Sequence, residues 1–174
     1  MEETIKRHGA NPKIFEYKGK PLVLLCATEH YGTVMNRPFD FRKYVDECAD
    51  KKQNYTRLFL LFRELQCANN PYSTCKPESP DYIAPYRRTG PGLACDGLPK
   101  YDLNQWNDEF FERLHAYIAL CEQHDIIVEV TLFSDSYSQA LFALTPMCAE
   151  NNINSLPHID FREVMSLKVE ALFE

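Results

Sequence analysis

Three short polar clusters hold the side chains best suited to bind or react, and each follows an apolar run. Glu29, His30 and Tyr31 follow "PLVLLCAT"; Arg63 and Glu64 follow "TRLFLLF"; Ser134, Asp135 and Tyr137 follow "IIVEVTLF". A carboxylate, an imidazole and a phenol in succession can exchange protons and recognise hydroxyl groups. His30 fits two roles, a hydrogen-bonded structural residue or a group facing a ligand. Glu29 and Glu129 are the carboxylates placed to suggest an acid/base pair, although Glu129 lies inside its run, where strand alternation turns residues to either face. Arg57 sits near the start of an otherwise apolar run, and such a cation needs an anionic partner. A salt bridge to Glu29 or Glu129 satisfies that need, and so does holding a catalytic carboxylate or another anionic group.

Metal and thiol chemistry find little support. His30, His115, His124 and His158 show no metal-binding spacing, so no metal and no cofactor is expected. Of the seven cysteines, Cys26, Cys48 and Cys121 fall in strand-like or helix-like patterns and read as small core residues. Cys67, Cys75 and Cys95 share a long irregular stretch at spacings unlike those of zinc knuckles.

The clusters must be positioned by the elements around them. "IFEYKGKPLVLL" reads as two short strands around a Lys18-Gly19-Lys20 turn, the second continuing through Leu22 to Ala27. Asp40 is placed to cap a helix in which Phe41, Tyr44, Val45 and Cys48 recur at helical spacing. "NYTRLFLLF" follows as a buried strand. From Arg63 to Tyr101 periodicity disappears among prolines that interrupt regular elements, and so long a loop suggests a lid or binding surface. It carries Tyr72, Tyr82 and Tyr86, with Trp106 just beyond, aromatics able to stack on sugar rings or to anchor the loop. Phe110, Phe111, Leu114, Tyr117, Ile118 and Cys121 then mark one face of a helix, and "IIVEVTLF" is a further buried strand. A second polar loop covers Ser134 to about Asp160, and "FREVMSLKVEALFE" has a helical pattern. The order is an N-terminal hairpin followed by three βα units, which calls for an α/β fold with a parallel sheet. The three polar clusters then share one rim of that sheet.

Bulk composition narrows the function classes. With 45% hydrophobic residues the 174-residue chain can build a core as one domain, 1–174. A net charge of −6 without a basic run argues against nucleic acid as a partner. No run approaches the roughly 18 to 20 apolar residues of a membrane span. "MEETIKRHGANPK" lacks the apolar segment of a secretory signal, so the chain as written is expected to stay in the cytoplasm by default.

The segments "GKPLVLLCATEHYG", "DFRKYVDECADKKQNYTRLF", "KYDLNQWNDEFFERL", "IIVEVTLF" and "NNIN", in this order over about residues 11 to 173, resemble the N-terminal part of (β/α)8-barrel glycoside hydrolases of the cellulase-like clan. The resemblance implies a partial TIM barrel, with an N-terminal hairpin at 11–25 and Leu22–Ala27, Thr56–Phe62 and Ile126–Phe133 as its first three barrel strands. It implies hydrolysis of O-glycosidic bonds in a poly- or oligosaccharide by two glutamates, and it matches Arg57 to the arginine that supports the nucleophile. The clan's acid/base lies in an Asn-Glu pair, and this sequence contains no such dipeptide. No catalytic residue is therefore expected in 1–174, which reads as an inactive fragment with Glu29, His30, Tyr31, Arg57 and Tyr137 as its substrate-binding residues. A full barrel takes about 250 residues. Three units alone leave the third strand as an apolar edge, open to self-association or to a missing C-terminal half. The alternative is a non-catalytic carbohydrate-binding or interaction protein.

Overall fold

The computed structural model of the chain describes residues 4–26, 32–60, 80–132, 136 and 138–163. Its first elements are β1 (Lys6–Arg7), β2 (Phe15–Tyr17) and β3 (Lys20–Leu22), paired antiparallel in that order. The expected turn joins β2 to β3. Lys18 and Gly19 both take positive φ, 49° and 71°, the backbone twist that suits a two-residue hairpin.

The run from Leu22 to Ala27 is not one continuous strand. Lys20–Leu22 belongs to the antiparallel hairpin, and the chain beyond it touches the parallel layer through a bridge between Cys26 and Tyr55. The Asn54 side chain replaces the intervening ladder: its Oδ1 accepts the Leu25 N–H at 2.8 Å, and its Nδ2 donates to the Val23 carbonyl at 3.0 Å. Cys26, read from sequence as a core residue, is exposed on this outer strand, while Cys48 and Cys121 are buried as expected.

Helix α1 (Phe41–Asp50) begins where the sequence places it, with the Asp40 side chain accepting the Lys43 N–H at 3.1 Å. It buries Phe41, Val45 and Cys48. Strand β4 (Tyr55–Phe59) follows. Strands β5 (Tyr86–Leu93) and β6 (Pro99–Trp106) form an antiparallel hairpin, and α2 (Asp108–Gln123) leads into β7 (Ile127–Thr131). Beyond β7 lie a short helix, α3 (Gln139–Phe142), and 3-10 turns at Ala149–Asn151 and Phe161–Glu163. The helical pattern read over the last residues lies, apart from that final turn, outside the described residues.

β4 and β7 pair in parallel, Tyr55 against Ile127 through Phe59 against Thr131. Parallel neighbours need a crossover, and α2 is the helix within it. Alternation then sorts β4 into two faces. Thr56 and Leu58 are buried, and the Thr56 hydroxyl meets Tyr44 of α1 at 2.9 Å and Tyr117 of α2 at 3.4 Å, so both helices cover the same side. Phe110, Leu114, Tyr117 and Cys121 of α2 complete that core with Val34, Met35 and Leu58. Burying a side chain such as Leu58 contributes about 2 kcal/mol. Tyr55, Arg57 and Phe59 point to the opposite face.

The hairpin is the main departure from the irregular loop that the sequence predicts from Arg63 to Tyr101. Both prolines occupy positions that a ladder tolerates: Pro99 is the first residue of β6, and Pro91 sits in the irregular stretch between Arg88 and Leu93. The tip is fastened by Arg88, whose Nη2 donates at 2.5 Å to both Asp96 Oδ2 and the Tyr101 hydroxyl. The second polar loop, Ser134 to Asp160, likewise contains α3 and a small core of its own, where Phe142, Met147 and Cys148 pack with Tyr86, Leu103 and Phe161.

Candidate functional site

Of the five residues expected to bind substrate, Arg57 lies among the described residues. Glu29, His30, Tyr31 and Tyr137 lie outside them, as do Arg63, Glu64, Ser134 and Asp135. Arg57 stands directly opposite Glu129 in the β4–β7 register, with Nε 2.7 Å from Oε1 and Nη2 donating to Oε2 at 3.4 Å. The Tyr55 hydroxyl donates a short hydrogen bond to the same carboxylate. Of the two anionic partners weighed from sequence, Glu129 is therefore one that Arg57 has. Alternation places all three side chains on the face away from the helices, where Arg57 and Glu129 each keep 44% of their side-chain surface exposed.

Electrostatics favour the ionised carboxylate and the neutral phenol in this trio. The Tyr55 hydrogen bond, followed by Arg57, holds the Glu129 carboxyl below the ordinary glutamate range. Burial and then the hydrogen bond to Glu129 push the Tyr55 phenol up. A glutamate shifted in this direction is a poor general acid. It orients Arg57, leaving the rest of a planar five-donor fork for a second acceptor such as a carboxylate or a sugar oxygen.

A second arrangement lies between the β5–β6 hairpin and the start of α2. Here an open cleft of about 620 Å³ is lined by Tyr86, Arg87, Gln105, Asn107 and Asp108, among others. Tyr86 and Trp106 face each other across the base of the hairpin, their rings stacked at 5.1 Å and 23°. Phe111 meets the indole perpendicularly at 5.4 Å, and Trp106 remains 58% exposed. Arg87 fixes this edge, its Nε donating to the Trp106 carbonyl at 2.8 Å while Nη2 pairs with Asp108. The sequence marks Tyr86 and Trp106 as aromatics near the long loop but does not pair them. The signal available was the run of eight residues from Pro99 to Trp106, polar but free of internal Gly and Pro.

The family described as a domain of unknown function, DUF6298, matches residues 75–166, more than half of the chain. The chain belongs to the DUF6298 family. No curated protein matches it. Among solved structures, a candidate glycoside hydrolase from Bacteroides vulgatus ATCC 8482 is similar at 14% identity and a TM-score of 0.49, over 75% of this chain and 24% of that one. The chain thus spans about a quarter of the length of that protein.

The DUF6298 region holds the hairpin, α2, β7 and the whole cleft, whereas Arg57 precedes it. Within the region the "NNIN" segment is a staple. Asn151 accepts the Cys95 N–H at 2.9 Å and donates to the Ala143 and Thr145 carbonyls, each at 2.7 Å. Asn152 donates to the Pro146 and Cys148 carbonyls, and Asn154 accepts the Leu103 N–H. These bonds tie the segment after β7 to the hairpin, so the DUF6298 cleft is backed by fixed backbone. Among the described residues no group of three His, Cys, Asp or Glu side chains is arranged to hold a metal ion, and no helix is long and apolar enough to cross a membrane.

Proposed function

We propose that the chain is part of a glycoside-hydrolase-like (β/α)-barrel protein, whose activity is hydrolysis of O-glycosidic bonds in a poly- or oligosaccharide. In this reading 1–174 supplies substrate-binding residues, Glu29, His30, Tyr31, Arg57 and Tyr137, and no catalytic glutamate. The observation that carries it is the position of Arg57. It lies on a parallel strand whose opposite face is covered by two helices, and Glu129 and Tyr55 hold it on the open face that a closed barrel would turn inward. An arginine fixed there suits the support of a nucleophilic carboxylate. Among the described residues β7 pairs with β4 alone, which leaves an edge for further strands or a second copy.

Retaining hydrolysis needs an acid and a nucleophile about 5 Å apart. The test is an assay of the 174-residue chain on a panel of aryl glycosides, with no turnover expected. Turnover that Glu29→Gln abolishes would overturn the assignment of catalysis to residues outside the chain. The second reading, a carbohydrate-binding protein without catalysis, draws its support from the exposed Trp106 beside a polar cleft.

A further inference from the structure

We propose that the groove beside β7 is the seat of the chain's own residues 164–174, docked as an amphipathic helix over the part of that strand which α2 leaves open.

The helix layer stops short of β7. On β4, Thr56 and Leu58 are 1% and 0% exposed beneath α1 and α2, but Val128 and Val130, their register partners on the same face, are only half-buried. Leu132, just past the strand, is 61% exposed. Val128 and Val130 border a groove of about 720 Å³ whose lining also includes Ile118 and Glu122 of α2 and, from the N-terminal segment, Ile5 and Tyr17. A parallel strand is ordinarily covered on both faces, and the neighbouring cover on this face is helical.

The sequence of 164–174, which lies outside the described residues, has the matching pattern. Val164, Leu167 and Ala171, with Met165, Val169 and Leu172, recur at three- and four-residue spacing and form one apolar stripe of a helix. Glu163, Ser166, Glu170 and Glu174 recur on the opposite side. The eleven residues from Val164 to Glu174 make a helix of about 16 Å, and the five residues of β7 extend about 16 Å, so the segment is long enough to run the length of the strand.

Charge agrees with this placement. Lys168 is the one charge within the apolar stripe, and its stem can lie along the groove while the ammonium reaches the rim. Of the charged groups lining the groove, Lys18 is paired with Asp125, and Glu122 has no ion pair among the described residues. A segment on the same chain also has the advantage over one from another molecule, because the tether sets an effective concentration on the order of millimolar.

The test uses the full 174-residue chain and amide hydrogen exchange. Residues 164–174 and the strand positions Val128 and Val130 should be protected, independently of protein concentration. Leu172→Asp, within the stripe, should speed exchange at Val128 and Val130 by about tenfold and raise the binding of a hydrophobic dye. Glu170→Gln, on the opposite side, should change neither. Lys168→Glu should weaken protection severalfold, and adding Glu122→Lys to it should restore protection. Fluorescence of the single tryptophan, Trp106, reports whether the hairpin stays folded in each variant. Rapid exchange throughout 164–174 in the wild type, or a Leu172→Asp variant that leaves Val128 and Val130 unchanged, overturns the proposal. Protection that appears only as protein concentration rises assigns the groove to a second copy and overturns it as well. Each of these outcomes leaves the glycoside-hydrolase reading standing.

Discussion

The Arg57 guanidinium and the Glu129 carboxylate face each other across adjacent parallel strands, Nε 2.7 Å from Oε1, with the Tyr55 hydroxyl closing the group from the same strand as Arg57. Three polar side chains on one face of a short parallel pair have been given one another as partners, and their charge states are coupled.

The coupling fixes a pH dependence. Glu129 titrates below its unfolded value of about 4.3, so the network contributes fully above that pH. Its contribution is lost as pH falls through the depressed folded value. Both partners are partly exposed, so the effect on stability is under about 1 kcal/mol. Urea midpoints followed from pH 6 down to about pH 3 should fall less steeply in Glu129→Gln than in the wild type. Equal slopes, or a Glu129 carboxyl that titrates at or above the ordinary range by NMR, would remove this network from the account.

Arg113 is expected to be the costliest surface-reaching side chain to remove. Its guanidinium donates to the carbonyls of Thr33, Asn36 and Phe39, the last at 2.5 Å, and lies over the Phe41 ring at 4.9 Å. It thereby pins the segment before α1 to α2. Arg113→Ala strands three acceptors and should cost about 2 to 3 kcal/mol in chemical denaturation. Arg113→Lys should recover only part, because all three carbonyls converge on Nη2, which the shorter lysine does not reach, and the flat contact over Phe41 is lost. Full recovery by lysine would mean that positive charge alone holds the segment.

Asn151 should behave as a structural residue of the hairpin, not of the β4–β7 core. It is 1% exposed with both ends of its amide in use. Asn151→Ala should cost about 1 to 3 kcal/mol. Hydrogen exchange should speed up at Cys95 and Leu103 while Leu58 and Val130 stay protected. Uniform loss of protection across both regions would contradict that division.

The thiols should separate by burial. Desolvation pushes Cys121 up to about 11 and Cys148 up to about 12, and Cys48 is raised by the same cause. Since the thiolate is the reactive form, alkylation of the native protein near neutral pH should mark Cys26 and Cys95 and spare those three, as read by peptide mass mapping. Rapid labelling of Cys121 would argue against the α2 packing described above.

Much of this architecture is legible in the chain because it is written locally. The capping Asp40, the helical spacing from Phe110 to Cys121 and the Lys18-Gly19 turn each depend on neighbours in sequence, and each forms where its pattern predicts. The hairpin escapes because its pairing ignores alternation: bulges between Arg88 and Leu93 absorb Pro91, and the hold comes from the contact of Arg88 with Asp96. The Asn54 amide that stands in for a strand ladder, and the asparagine staple at 151–154, are likewise products of tertiary proximity that no periodicity announces. Arg57 lies between these cases. Its need for an anion follows from its apolar surroundings, but the choice of Glu129 is made by the register of two strands more than 60 residues apart.

Asn107 closes the hairpin and opens α2 at once: its N–H donates to the Pro85 carbonyl at 2.8 Å, and its own carbonyl receives the Phe110 N–H at 3.1 Å. A single residue thus joins the hairpin to the first turn of the helix, and because Tyr101 of the hairpin is itself buried, a displacement at this joint is passed to both elements at once.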